Sequence, residues 1–256
     1  MKLKIKFLNK LLGSKVSKVL RNLLNVKSTH LMLNHFEKNI SVSDGFFWRV
    51  DNNFKTIFKF TDLLNLFFNQ PSSEINLVFF DKKFNCIKEY TLDKIKNHNS
   101  IIIDQKFLNL NEGYGSFYIF HSTKKDINAI IGNSCYTGYS YKNSIPSFVH
   151  GNLHSASKKF NNDKIIYGLG AKLFFKKNIY KVQNFMNFDK TELILLNNCN
   201  SQIKVNLGFK EFFLNKGCVA LEDAKENKLI NIRSNSSLLR PIIFNYKGEF
   251  VDVYHG

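Results

Sequence analysis

Apolar residues recur at helical spacing only near the start of the chain. Ile5, Leu8, Leu12, Val16, Val19, Leu20 and Leu23 fall on one face at steps of three and four, with Lys10, Lys18 and Arg21 opposite. That pattern predicts an amphipathic helix over 5–24. From about Ser41 the period shortens to two. Lys55-Thr56-Ile57-Phe58-Lys59-Phe60 alternates polar with apolar as a half-buried strand does, and 45–50 reads as a strand ahead of it, with Asp51-Asn52-Asn53 supplying turn chemistry between them. A hairpin is predicted from 75–80 and 87–92 around a turn at 81–85, followed by strands at 101–104 and 117–120, the latter introduced by Gly113-Tyr114-Gly115. Short strands are predicted at 127–131, 136–141, 147–150 and 165–167, separated by Gly and Asn, and again at 212–214, 219–222, 230–234, 239–244 and 250–254.

Strands at this spacing without long helices predict an all-β antiparallel fold. Two matches suggest an internal repeat: Thr61-Asp62-Leu63-Leu64 with Thr191-Glu192-Leu193-Ile194, and Ser73-Glu74-Ile75-Asn76-Leu77 with Ser201-Gln202-Ile203-Lys204-Val205. The expected architecture is therefore two tandem Ig-like β-sandwich halves behind a short basic helix. The helix takes 1–28, the first sandwich 29–123 and the second 124–256.

Composition supports a folded chain, since 44% hydrophobic content with 26 Phe is ample for a core and excludes global disorder. The net charge of +17 is unevenly placed: Lys2, Lys4, Lys6, Lys10, Lys15, Lys18, Arg21 and Lys27 fall within 1–28, where there is no acid. A basic helix of this kind suits an anionic membrane surface, whereas a nucleic-acid binder would carry its basic stripe on the folded domain. Nucleic acid is accordingly not the expected partner. Docking of the helix on the domain, a partner contact and organelle targeting are the other readings. Cys86, Cys135, Cys199 and Cys218 form no C-x-x-C pair and suggest reduced thiols in a cytoplasmic protein. No apolar run approaches the ~18 residues of a membrane span, and no secretory signal is expected.

Candidate chemistry concentrates at 133–155, NSCYTGYSYKNSIPSFVHGNLHS. On a strand, Tyr139 and Tyr141 share a face, while Gly138 interrupts the pattern for Tyr136. Tyrosines beside Asn152, His150 and His154 suit sugar recognition, with rings stacking on apolar sugar faces while amides and imidazoles bond hydroxyls. The alternative for each ring is burial in the core with its hydroxyl satisfied at the rim. His150 and His154 are candidate acid/base groups, because imidazole titrates near neutrality. Gly151 and Asn152 argue against a helix there, and on a strand the two would stand about 13 Å apart. A zinc site would need a third ligand such as His121 plus a carboxylate, and none is close in sequence, so neither a metal nor another cofactor is expected. Only four of the 37 basic residues are arginines, which singles out Arg49 beside Trp48 and Arg240 before Pro241 as anion-binding candidates; a structural ion pair with Asp44, Glu192 or Asp252 is the alternative. His255, near the end, approaches His150 if the last strand lies beside the central one.

Several of these segments carry a resemblance. Ser43-Asp44-Gly45-Phe46-Phe47-Trp48-Arg49, the Tyr-Gly-Tyr stretch, Ser147-Phe148-Val149-His150-Gly151-Asn152, Arg240-Pro241 and the terminal Asp252-Val253-Tyr254-His255-Gly256 resemble a bacterial family of β-rich proteins encoded among cell-surface polysaccharide genes. The resemblance spans roughly 41–256. It implies a context, glycan assembly or modification, and no reaction. The leading expectation is an accessory, carbohydrate-recognising protein. An enzyme on glycan or lipid-linked glycan substrates using His150 or His154 is the alternative, and a membrane-surface or nucleic-acid binder acting through 1–28 is a third.

Overall fold

The computed structural model describes residues 14–23, 38–70, 73–92, 98–132, 135–173, 178–183, 187–224, 229–236 and 239–256. The expected N-terminal helix is present as α1 (Lys15–Leu23); Ile5, Leu8 and Leu12 lie outside the described residues. Val16, Val19 and Leu20 of α1 are exposed, so these side chains are not docked on the folded domain. Among the described residues no helix is long and apolar enough to cross a membrane.

The other described residues form an all-β fold of four sheets with two short helices. The largest runs β11 (Ile165–Tyr167), β10 (Asn152–Lys159), β1 (Ile40–Arg49), β6 (Tyr114–Ser122), β3 (Glu74–Asp81), β4 (Cys86–Leu92), with β7 (Ile130–Gly132) added parallel to β1. A second runs β5 (Asn99–Ile103), β2 (Phe54–Phe60), β8 (Tyr136–Tyr141), β9 (Ser147–His150). The third is β12 (Asn178–Gln183), β17 (Leu229–Ser234), β14 (Ile203–Asn206), β15 (Glu211–Leu214), and the fourth β16 (Val219–Asp223), β13 (Lys190–Leu196), β18 (Ile242–Lys247), β19 (Phe250–His255). Two short helices, α2 (Leu63–Phe68) and α3 (Gln105–Leu108), begin at Asp62 and Asp104, whose carboxylates accept the amide hydrogens of Asn65 and Phe107.

β1 is buried at every position, and its alternation explains why. Phe46 and Trp48 face a core shared with Phe58 and Phe60 of β2, Leu77 and Phe79 of β3, and Phe117 and Ile119 of β6. Phe47 points the other way, into a second core with Phe54, Tyr139 and Val149, where it meets Ile194, Leu196, Phe244, Val251 and Val253 of the fourth sheet. β13 is divided in the same manner, with Leu193 and Leu195 in a core shared with the third sheet and Ile194 and Leu196 in the one shared with β1. Strands covered on both faces read as nearly continuous apolar runs. At its start β1 pairs with β10 and β7, and only from Phe46 with β6. Where β1 and β6 diverge, the Ser41 and Ser43 hydroxyls accept the amide hydrogens of His121 and Ile119, each at 2.9 Å.

Three sequence expectations need correction. The segment from 124 was assigned to the second half, yet β8 pairs with β2 and β10 with β1; strands up to β11 complete the sheets begun at 40, so the division at 123/124 does not follow the pairing. The first repeat match also fails, because Thr61-Asp62 leads into helix α2 while Thr191–Ile194 lies within β13. β10, β12 and β13 are not among the expected strands: β10 meets β1 through the small buried residues Ser155, Ala156 and Ser157, which carry no apolar alternation.

Candidate functional site

The stretch 133–155 divides among three environments. The first is the outer face of the β5-β2-β8-β9 sheet. Strand registers assemble two adjacent rows there: Ser100–Lys59–Tyr136–His150, and Ile102–Ile57–Gly138–Phe148. Tyr136 is 46% exposed, Ile102 56%, and His150 is exposed. The Tyr136 and His150 rings lie 4.3 Å apart at 42°. A Cβ at Gly138 would stand 2.5 Å from Phe148 Cε1 and 2.7 Å from Cζ, so a larger residue there would displace the ring. The Phe148 ring therefore lies over Gly138, and Lys59 Nζ sits 4.5 Å from its centre. The result is an aromatic strip bordered by an ammonium, an imidazole and a hydroxyl. His255 reaches its edge from β19: only the His150 carbonyl can accept, so His255 Nε2–H donates to it at 2.7 Å. Burial, then the nearby Arg240 charge, lowers the His255 pKa to about 4, so its ring is neutral at pH 7. Ser147 Oγ accepts the Val253 amide hydrogen at 3.0 Å, tying the same edge to the fourth sheet.

The second environment is interior. Tyr139 and Tyr141 do share a face, but it is the inner one. Tyr139 is fully buried, donates its hydroxyl to Phe47 O at 3.2 Å and packs edge-on against Phe244. Tyr141 is half-buried between Phe54 and Tyr246. Arg49 belongs to this core and is inaccessible to a ligand. Its Nε and Nη2 hold both oxygens of Asp51 at 3.0 and 2.8 Å, Nη1 reaches Glu192 at 2.9 Å and Tyr246 Oη at 3.1 Å, and the guanidinium lies 3.8 Å over Phe54. Of the three carboxylates expected as its partner only Glu192 is used, and Asp51 replaces the others.

The third environment surrounds Asp44. At the change of pairing on β1, three residues of β10 (153–155) stand opposite this one residue, and the His154 amide donates to Asp44 Oδ1 at 2.9 Å with His154 at φ 44°. Asn152 is 1% exposed, and its side-chain amide has no hydrogen-bond partner among the described residues. His150 and His154 thus lie in different sheets, parted by Gly151, whose hydrogen faces Asp44 and Phe46. They do not share the strand face on which the sequence placed them.

Asp44 was missed as a site residue, although it sits in the Ser43-Asp44-Gly45 segment. Burial raises its pKa to about 6, against the opposing pull of the His154 amide. A carboxyl raised in the folded state binds a proton that the unfolded chain has already lost, so between about pH 4 and 6 stability falls as pH rises. His255 acts in the opposite sense over about pH 6.5 to 4, and the two slopes oppose each other in the wild type. Asp44→Asn is expected to raise stability at pH 7 by about 2 kcal/mol and to leave His255 uncompensated, so that the thermal midpoint drops more steeply on acidification than in wild type. Unfolding scans from pH 4 to 7.5 check this; parallel curves would contradict it.

Lys59 and Phe148 were also missed. The signal was available in principle: a hairpin register pairing Gly138 with Phe148 sets an aromatic over a glycine, beside the exposed member of an alternating strand.

No family model matches the chain, and no curated protein matches it.

Proposed function

We propose that the protein recognises carbohydrate through the outer face of the β5-β2-β8-β9 sheet, as an accessory component of surface-polysaccharide metabolism rather than as a catalyst. The observation that carries this reading is the exposed, tilted Tyr136–His150 ring pair beside Phe148, whose ring lies over Gly138. Aromatic rings of this kind offer an apolar face and polar edges, which matches a pyranose with its C–H face and its rim of hydroxyls. Ser100, Lys59 and His150 stand in the same row to bond that rim. Behind the face we read the four sheets as two sandwich-like pairs, which hold it rigid. The metabolic context comes from the family resemblance. The enzymatic alternative would have to use His150 or His154 singly, because the two lie in different sheets.

Titration calorimetry against a panel of neutral and acidic oligosaccharides tests the proposal. At least one member should bind, and Tyr136→Ala with Phe148→Ala should weaken it by about tenfold or more, as loss of a hot-spot contact does, with an unchanged circular dichroism spectrum. Binding by no member, or undiminished binding by the double variant, would overturn it.

A further inference from the structure

We infer that the ligand of this face is an acidic saccharide, one whose uronate carboxylate pairs with Lys59 while its ring lies against the exposed Tyr136; the inference rests on the reading of the face as a glycan platform. Neither cross-strand row contains an acid. Lys59 stands in the polar row with its ammonium over the Phe148 ring and has no ion pair among the described residues. Lys59 is exposed, so an anion on this face can reach its ammonium.

A second cation continues the line. Lys55 lies four residues from Lys59 on the same exposed face of β2, about 13 Å away at a strand rise of ~3.3 Å per residue. Its amine bonds Asn143 Oδ1 at 2.8 Å. Lys55 also lines a recess of about 620 Å³ together with Lys106 and Lys142, a volume in the range of small-ligand sites. The two acids of that recess are engaged: Asp104 accepts the Phe107 amide hydrogen at 2.7 Å, and Glu249 lies 3.8 Å from Lys142. The apolar strip is thus bordered by lysines that continue along β2 into a recess lined by three lysines and two acids. Spaced single ammonium groups suit the repeated monoanions of an acidic chain. A phosphate group calls for an arginine fork, and the two rows contain no arginine.

Oligogalacturonate, compared as free acid and as full methyl ester, isolates the charge. At low salt the free acid should bind about tenfold more tightly than the ester, the gap closing as ionic strength rises. Lys55→Gln with Lys59→Gln should cost the acid about tenfold and the ester less than twofold. Equal affinity for acid and ester with no effect of the lysine changes overturns the acidic inference and leaves the platform reading standing, as does binding of a neutral panel member when neither galacturonate form binds. Free-acid binding that survives Tyr136→Ala with Phe148→Ala also overturns the inference, because the attraction then comes from the net charge elsewhere. Binding of nothing in the panel overturns the platform reading with it.

Discussion

Arg49→Ala is expected to destabilise the protein by about 3–5 kcal/mol, the range for removing one partner of a buried ion pair. The loss exceeds the net worth of the contacts. Glu192 would remain buried beside Tyr246 with Lys190, at 2.6 Å, as its remaining cation, and the guanidinium plane now stacked between Phe54 and Phe244 would leave a cavity. The bonds to Glu192 and Tyr246 join β1 to the fourth sheet, so the damage should appear as loosening between those sheets. Burial alone would push Glu192 up, but Arg49, Lys190 and Tyr246 outweigh it and hold the carboxyl below its ordinary range. A carboxylate lowered in this way contributes stability above about pH 4.5 and loses it as pH falls through the depressed value. Chemical denaturation of Arg49→Ala, Glu192→Gln and the double variant checks the account, and the two single costs should exceed the double cost. Purely additive losses below 1 kcal/mol would show the network to be incidental.

Tyr139→Ala is expected to cost about 3–5 kcal/mol through the cavity it opens, whereas Tyr139→Phe should cost only about 1 kcal/mol for the bond to Phe47 O. The pair of variants separates the two roles the residue could have. A core tyrosine gives this steep dependence on ring volume and leaves glycan affinity of the Phe variant intact. A ligand-contacting tyrosine would give a stable Ala variant with lost binding. Thermal unfolding with parallel titration decides between them.

How far the sequence could be read depended on where each contact came from. Strands with one exposed face, such as β2 with Lys55, Ile57 and Lys59 outward, were legible from their period. β1 was recognised only from Gly45, because Ser41, Ser43 and Asp44 interrupt its apolar run; their polarity is used by β6 and β10, partners far along the chain. The common face of Tyr139 and Tyr141 followed from the period of two. Which side faces inward did not, since that is decided by the fourth sheet packing against Phe47 and Phe54. The outward ring is Tyr136, of opposite parity, and its place beside His150 becomes visible only with the β8–β9 register. Arg49 illustrates the same limit: its bond to Glu192 spans 143 residues, while its fork onto Asp51, two positions on, was within local reach.

Recognition on the outer face of the β5-β2-β8-β9 sheet is tested by side-chain and amide NMR shifts, followed while a binding oligosaccharide is titrated in. Perturbations should map to Ile57, Lys59, Tyr136, Phe148 and His150 and spare Tyr139, Arg49 and Asn152. Shifts centred on the Asp44–Asn152–His154 region, or spread without relation to that face, would contradict it.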